Sequence, residues 1–182
     1  MADRGWLVTG IEKDPKAADY GKSRLELNVH AGDFADIDVQ GEFQAVTFWH
    51  SLEHIHRFRE NLRKAGRLLG AGGYIFIALP NAGSLDAAIY RRKWVAYDAP
   101  RHLWHFTPRS MKRLLKDEGF RLQKIVPMPL DPFYNSLLSE SVGGKSPLPV
   151  TAVRLPITAA ASFLLGNICP GKASSVVYVI TG

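Results

Sequence analysis

The stretch AVTFWHSLEHIHRFRENLRKAGRLLGAGGYIFIALP, residues 45–80, decides the fold of this chain. Residues 45–49 form a continuous apolar run, which is typical of a strand buried on both faces of a parallel sheet. From Ile55 onward the apolar positions recur at helical spacing, and the opposite face is charged, as on a solvated helix surface. The glycine-containing run at 70–73 is expected to end this helix, and residues 74–79 return to a strand pattern. The stretch therefore predicts a strand–helix–strand unit.

The two strands of such a unit run in the same direction, so their carboxyl ends meet at one edge of the sheet. Residues 50–54 follow the first strand, and residues 80–81 follow the second. Open α/β sheets bind their ligands at this edge. We therefore expect the functional site to lie there.

Strand and helix patterns continue on both sides of this unit. Upstream, the patterns predict a strand over 6–11, a helix over 16–24 that Asp14 and Pro15 begin, and a strand over 27–31. Downstream, they predict a helix from Thr107 to Gly119 and a second helix over 131–141, which is expected to carry Phe133, Leu137 and Leu138 to a pocket mouth. A turn-rich linker over 143–149 and an apolar segment over 151–165 follow. The last predicted element is an antiparallel strand over 174–180. This alternation predicts an α/β fold with a Rossmann-like, doubly wound, mostly parallel sheet.

Composition indicates one globular domain of 182 residues, of which 46% are hydrophobic and 22% charged. We divide it into a core over 1–130, with a lid at about 82–107, and a C-terminal segment over 131–182. The net charge of +6 is spread over helix faces, so no nucleic-acid partner is expected. The lone Cys169 favours a reducing, cytoplasmic location.

The apolar C-terminal run over 155–168 contains Pro156 and is shorter than the ~20 residues that a bilayer crossing requires. We therefore expect no transmembrane span. The wider segment over 151–168 is expected either to pack on the body or to make a peripheral contact with a membrane surface.

Two acidic residues follow successive predicted strands. Glu12 comes after the first strand and Asp33 after the second. A carboxylate in this position accepts hydrogen bonds from ribose hydroxyls or from an exocyclic amine. Either acid alone would be explained equally well as a cap of the next helix, but two acids at equivalent positions favour a nucleoside ligand.

The ordered set of motifs resembles the class I S-adenosylmethionine-dependent methyltransferases, and within them the small-molecule group of the ubiquinone-biosynthesis type. The motifs are GWLVTGIEKDP (5–15), VHAGDF (29–34), AVTFWHSLEHI (45–55), LLGAGGYIFIALPN (68–81) and DAPRHLWHFTPRSMKRLLKDEGF (98–120). The resemblance implies S-adenosylmethionine as cofactor and a small-molecule acceptor of the methyl group. It implies that Glu12 binds the ribose, Asp33 the adenine amino group and Phe34 the adenine ring, and that His50 and Ser51 lie beside the methionine moiety.

The sequence departs from the family at its start. The family's first strand and its glycine-rich loop precede the position of Gly5. That strand normally lies between the strands that carry Glu12 and Ala45, and the loop lets backbone amides approach the cofactor. We therefore expect an N-terminally truncated fold with weakened cofactor binding. The strands that carry Glu12 and Ala45 are expected either to leave backbone polar groups exposed or to pair directly with each other.

Aromatic and titratable side chains crowd the predicted lid, which either covers an apolar pocket or plugs the core. His102 or His105 is expected to deprotonate an acceptor hydroxyl, because the pKa of histidine lies near working pH, or else to form structural hydrogen bonds. Arg101 has the two-pronged geometry that holds a carboxylate or phosphate. The predicted acceptor-binding residues are Trp94, Tyr97, Arg101 and Asn81.

Two functions of other classes compete with methyl transfer. Residues 50–54 fit the HxxEH pattern of helical zinc peptidases. However, His50 is expected at the end of a strand, where it cannot share a helix face with His54, so we predict no metal site. The absence of the glycine-rich loop keeps open a non-catalytic remnant that acts through protein contacts.

Overall fold

The computed structural model describes residues 1–142 and 148–182, so most of the predicted linker over 143–149 lies outside the described residues. The strands are β1 (Thr9–Glu12), β2 (Asn28–Ala31), β3 (Phe43–Trp49), β4 (Leu69–Pro80), β5 (Arg121–Pro127) and β6 (Ser175–Thr181). The helices are α1 (Pro15–Leu25), α2 (Phe58–Arg67), α3 (Leu85–Tyr90), α4 (Pro108–Asp117), α5 (Asp131–Ser139) and α6 (Leu148–Ile168). The predicted mixed α/β class is confirmed.

The strands form two separate sheets. Four strands pair in the order β3-β4-β6-β5, in which β3 and β4 are parallel and β6 is antiparallel to both of its neighbours. The other two strands, β1 and β2, form a parallel pair of their own. Among the described residues, β1 and β3 share no ladder. The expected antiparallel final strand is present. Of the two arrangements expected for the strands that carry Glu12 and Ala45, direct pairing is not observed in the described parts of the chain, and the truncation stays a prediction.

The main core lies between the four-stranded sheet and helices α2 and α4. Leu62 of α2 and Met111 of α4 are fully buried against Ile75 and Ile77 of β4. Helix α4 begins as predicted, because Thr107 and Ser110 form a reciprocal cap and Pro108 occupies the first turn. The strand–helix–strand unit predicted from residues 45–80 therefore forms the centre of the molecule.

Two details of that unit were predicted wrongly. A short 3-10 turn, Leu52–His54, follows β3, and α2 begins at Phe58 rather than near Ile55. The glycine run lies inside β4 rather than at the end of the helix. Here Phe43 pairs with Leu69 but Ala45 pairs with Tyr74, so the extra residues of β4 form a bulge, and Gly72 adopts a φ of +74° that suits glycine.

The charged face of α2 is more than a solvated surface. Arg57 forms ion pairs with Asp33 and Asp36 in the loop after β2. Lys64 donates hydrogen bonds to carbonyl oxygens of the same loop, including that of Phe34 at 2.6 Å. This pairing joins the β1–α1–β2 unit to the main body, and the periodicity of α2 did not indicate it.

The C-terminal helices also differ from expectation. Helix α5 ends at Ser139, and its residues Phe133 and Leu137 are exposed on the surface. Helix α6 continues through Pro156 for 21 residues. By length and composition alone, its part over 150–168 is long enough to cross a membrane, so the apolar helix is longer than the run over 155–168 indicated. The expectation of no transmembrane span stays a prediction.

The split sheet predicts unequal local stability. The β1–β2 pair is short and only partly buried, and an isolated pair of strands is marginal in water. We expect the backbone amides of β1 and β2 to exchange with deuterium much faster than those of β4 and β6, which carry fully buried side chains. Hydrogen exchange followed by mass spectrometry measures this difference, and equal protection of both sheets would contradict it.

Candidate functional site

A cavity of about 660 Å³ lies between the two sheets. Its walls come from β1, from the loop after β2, and from β3 with the turn that follows it. All five predicted cofactor-binding residues, which are Glu12, Asp33, Phe34, His50 and Ser51, line this cavity. Residues far apart in sequence thus meet at the carboxyl ends of β1, β2 and β3, and the volume lies within the 300–1,000 Å³ typical of small-molecule sites.

Glu12 is the last residue of β1 and points a partly buried side chain into the cavity wall. One carboxylate oxygen accepts a hydrogen bond from the backbone N–H of Asp14 at 2.8 Å. Asp14 itself caps α1 by accepting hydrogen bonds from the N–H groups of Lys16 and Ala17. Because Asp14 performs the capping, the second oxygen of Glu12 is available to a ligand.

Asp33 and Phe34 follow β2 and are fixed by their neighbours. Asp33 accepts a hydrogen bond from the N–H of Ala35 at 2.9 Å and lies 3.6 Å from the Arg57 guanidinium. The ring of Phe34 packs edge-on against Phe48, with 6.1 Å between ring centroids. A carboxylate and an aromatic ring therefore stand side by side, in an arrangement suited to the edge and the face of a planar base.

His50 follows β3 in the left-handed region, with a φ of 47°. Its Nδ1 lies 3.6 Å from the carboxylate of Glu53, and its Nε2 lies 3.8 Å from that of Asp131 at the start of α5. The Glu53 carboxylate raises the pKa of His50 above its usual value against the effect of partial burial, and Asp131 adds to the rise. The sequence indicated His50 but not its partners. Glu53 was considered only as part of the HxxEH pattern, and Asp131 lies far away in the sequence.

The predicted lid is tied to the turn after β3. The backbone N–H of Leu103 donates to the carbonyl of Glu53 at 2.8 Å, and the indole N–H of Trp104 donates to that of Ile55 at 3.0 Å. The ring of Trp104 packs on Phe58. The lid therefore adjoins the cavity through residues 53–55 without lining it.

The predicted acceptor-binding residues occupy several environments. Trp94 is buried, and its indole N–H donates to Asp86 at 2.8 Å while its ring packs on Tyr97. Asn81 is fully buried, and its amide donates to the carbonyls of Gly171 and Ala173. Arg101 is exposed and paired with Asp98. The structure places these residues apart from the large cavity, and their contact with an acceptor stays a prediction.

The two histidines predicted as bases belong to the lid and contact its own backbone. Nδ1 of His102 is 2.8 Å from the carbonyl oxygen of Ala96, and Nε2 of His105 is 2.9 Å from that of Tyr97. Both rings line a narrow crevice together with Glu53 and Trp94, separate from the large cavity. His50, by contrast, lines the large cavity itself.

The residues of the HxxEH pattern do not form the helical zinc motif. His50 stands at the end of β3, and His54 lies in the following 3-10 turn. Among the described residues, the group whose ligand atoms come within 4.8 Å of one another consists instead of Glu53, His54 and His102. The peptidase arrangement is therefore not supported, and the prediction that the chain binds no metal is untested.

Comparisons with known proteins agree with this geometry. A family model described as a methyltransferase domain matches residues 1–125. The ubiquinone biosynthesis O-methyltransferase of Dechloromonas aromatica is 27% identical over 145 residues, which are 72% of this chain and 62% of that protein. Its counterpart from Xanthomonas oryzae is 24% identical over 148 residues, which are 74% of this chain and 62% of that protein. The chain thus spans less than two thirds of the length of these relatives.

Solved structures show the same fold. A SAM-dependent methyltransferase of Thermotoga maritima superposes with a TM-score of 0.63 at 16% identity, covering 95% of this chain and 72% of that one. A SAM-dependent methyltransferase of Archaeoglobus fulgidus superposes with a TM-score of 0.61 at 18% identity, covering 100% of this chain and 78% of that one. At these identities the likeness establishes the fold.

The raised pKa of His50 predicts a pH-dependent stability. Protonated His50 is favoured in the folded state, so its contribution is fully present below pH ~6.5 and is lost as pH rises through the folded pKa. We expect His50→Asn to reduce the free energy of unfolding most at pH 5.5 and least at pH 8.5. Asparagine tolerates positive φ, so any backbone cost is small and equal at every pH.

Urea unfolding at a series of pH values measures this effect. The matched control is His30→Asn, because His30 is exposed on β2 and forms no ion pair with a carboxylate among the described residues. A wild-type–variant difference that stays constant with pH for His50→Asn would contradict the interpretation.

Proposed function

Because the chain belongs to the methyltransferase-domain family, we propose that it carries out S-adenosylmethionine-dependent methyl transfer to a small-molecule acceptor. The observation that carries the proposal is the convergence of Glu12, Asp33, Phe34, His50 and Ser51 on one cavity. Three separate strand ends supply these residues, as expected of a ligand site at the carboxyl edge of an α/β sheet.

The nucleoside half of the cofactor fits the first wall of this cavity. The unengaged oxygen of Glu12 would accept hydrogen bonds from ribose hydroxyls. Asp33 and Phe34 would hold the adenine through its amino group and its ring. When bound, S-adenosylmethionine supplies a methyl group on a positively charged sulfur.

The part of the site for the methionine end of the cofactor requires one more strand and the loop that follows it. The facing edges of β1 and β3 are unpaired with each other in the part of the chain that the structure describes, and both line the cavity. We propose that a parallel strand from outside residues 1–182 fills this place and that its following glycine-rich loop holds the methionine end of the cofactor. Unpaired strand edges favour the addition of a strand, because backbone N–H and C=O groups gain partners.

His50 is the best placed base for the acceptor. We propose an acceptor hydroxyl, by likeness to relatives that are named O-methyltransferases. His50 lines the cavity, and the carboxylates of Glu53 and Asp131 stabilise its protonated form. It would take the hydroxyl proton as the oxygen–carbon bond forms and the sulfur–carbon bond breaks. His102 and His105 would then stabilise the lid from within, through their contacts with the carbonyl oxygens of Ala96 and Tyr97.

Location and partners complete the proposal. The exposed free thiol of Cys169 favours a reducing cytoplasm. Residues 151–168 would contact a membrane surface, since α6 exposes several large aliphatic side chains. The spread of basic residues over separate helices favours no nucleic-acid partner. A non-catalytic role has less support, because no feature of the cavity requires it.

Substitution of Glu12 tests the cofactor site. In a protein that includes the added strand and loop, Glu12→Ala should weaken binding of S-adenosylhomocysteine by tenfold or more, because charge-assisted hydrogen bonds contribute about 1.5–3 kcal/mol each. Glu12→Gln should cost less, because its amide oxygen still accepts. Isothermal titration measures the affinities, and Asp19→Ala on the exposed face of α1 is the control. Wild-type affinity of Glu12→Ala would remove Glu12 from the site.

Adding the strand tests the second half of the proposal. Residues 1–182 alone should bind S-adenosylmethionine and S-adenosylhomocysteine weakly or undetectably, because the methionine end lies at an unpaired edge. A protein extended by a strand and a glycine-rich loop before residue 5 should bind both. Tight binding by residues 1–182 alone would show that the cavity suffices without an added strand.

A further inference from the structure

Helix α6 carries its large aliphatic side chains on the outside. Val150, Val153, Ile157, Leu164 and Ile168 are between 48% and 78% exposed. Their spacing of three, four, seven and four residues places them on one narrow face of the helix. The helix therefore presents a continuous aliphatic stripe that is ~27 Å long at 1.5 Å per residue.

The inward face of α6 has the opposite character. Thr158, Ala159 and Ser162 are at most 3% exposed. At Gly166 the helix approaches the chain so closely that an added Cβ would lie 2.8 Å from Cβ of Ala173. Small and hydroxyl-bearing residues thus pack against the body while large aliphatic residues face outward. This is the reverse of a helix in water, and small residues at the packed face are typical of helices that border lipid.

Charge is absent from the outward stripe. Arg154 is the lone charged residue over 148–168. Its guanidinium is held at the side of the helix by two hydrogen bonds to Glu140, at 2.8 and 2.6 Å. These bonds and the packed inward face keep α6 attached to the protein, so we argue for a helix lying on a membrane rather than crossing it.

A basic triplet lies beside this helix. Arg91, Arg92 and Lys93 are exposed and follow directly after α3. Tyr90, just before the triplet, donates a hydrogen bond to Glu140, the residue that holds Arg154. Val95, just after it, donates its N–H to Ser139 at the end of α5. The triplet is therefore anchored on both sides to the junction of α5 and α6, and it forms no ion pair with the acidic residues that the structure describes.

We propose that the aliphatic stripe of α6 and the basic triplet 91–93 together dock the protein on an anionic lipid bilayer. The stripe enters the interface, and the three cations meet the negative headgroups at its edge. This inference rests on the membrane contact included in the proposed function and adds the face and the class of lipid. It requires neither cofactor nor acceptor, so it stands or fails independently of methyl transfer.

Co-sedimentation of the 182-residue chain with vesicles tests the proposal. Binding should be strong to vesicles of phosphatidylcholine with phosphatidylglycerol, weak to phosphatidylcholine alone, and reduced by added salt. The double variant Arg92→Gln/Lys93→Gln should lose about fivefold in binding per charge, or about 25-fold in all. The matched control is Arg109→Gln/Lys112→Gln on the exposed face of α4, which removes the same charge elsewhere and should change binding much less.

A second pair of variants separates the apolar contribution. Leu164→Ser should weaken binding by about fivefold or more. Leu25→Ser on α1 is its control, because Leu25 is 54% exposed and Leu164 is 60% exposed. Equal binding to both kinds of vesicle, or binding unaffected by the α6 and triplet variants, would overturn the proposal. Sedimentation velocity showing a dimer that Leu164→Ser dissociates would also overturn it, in favour of a second copy as the occupant of the stripe.

Discussion

The arrangement of the molecule depends on the hydrogen bonds and ion pairs between α2 and the loop after β2. The ammonium group of Lys64 lies among three backbone carbonyls of that loop and 5.0 Å from the centre of the Phe34 ring. Arg57 adds ion pairs to Asp33 and Asp36. The two sheets share no backbone ladder in the described parts of the chain. These side-chain contacts therefore join the two sheets, as strand pairing would in a continuous sheet.

This mode of attachment determines the nature of the candidate site. A continuous sheet would leave only its carboxyl edge to a ligand, whereas here the cavity also reaches between the facing edges of β1 and β3. The backbone N–H and C=O groups on these edges form hydrogen bonds with water or with another strand. In both cases the cavity wall between β1 and β3 stays polar. The same loop carries Asp33 and Phe34, so the contacts that join the two sheets also orient two of the residues expected to bind the nucleoside.

Local pattern predicted the elements that carry a strong period or a clear cap. The apolar runs of β3 and β4, the apolar face of α2 and the Thr107 cap of α4 were predictable because neighbouring residues determine them. The expected burial of β3 on both faces was wrong, because Phe48 is its one buried residue and Trp49 is exposed. Strand β5 was missed, since its alternation between Leu122 and Ile125 is broken by a register shift. The glycine run of β4 was misread because glycine signals both a helix end and a bulge, and only pairing with β3 distinguishes the two.

The site was less predictable than the fold, because a sequence pattern reports on neighbouring residues and the site also depends on contacts between distant ones. Strand order brings Glu12, Asp33 and His50 to one edge, and a sequence motif can indicate each of them separately. Contacts between distant segments leave no such signal. Asp131 reaches His50 from the start of α5, while Glu140, just beyond the end of α5, binds Arg154 and Tyr90. Helix α5 therefore connects the cavity wall with its junction with α6, the helix that carries the aliphatic stripe. A lipid bilayer on which α6 docks would then lie one short helix, α5, away from His50.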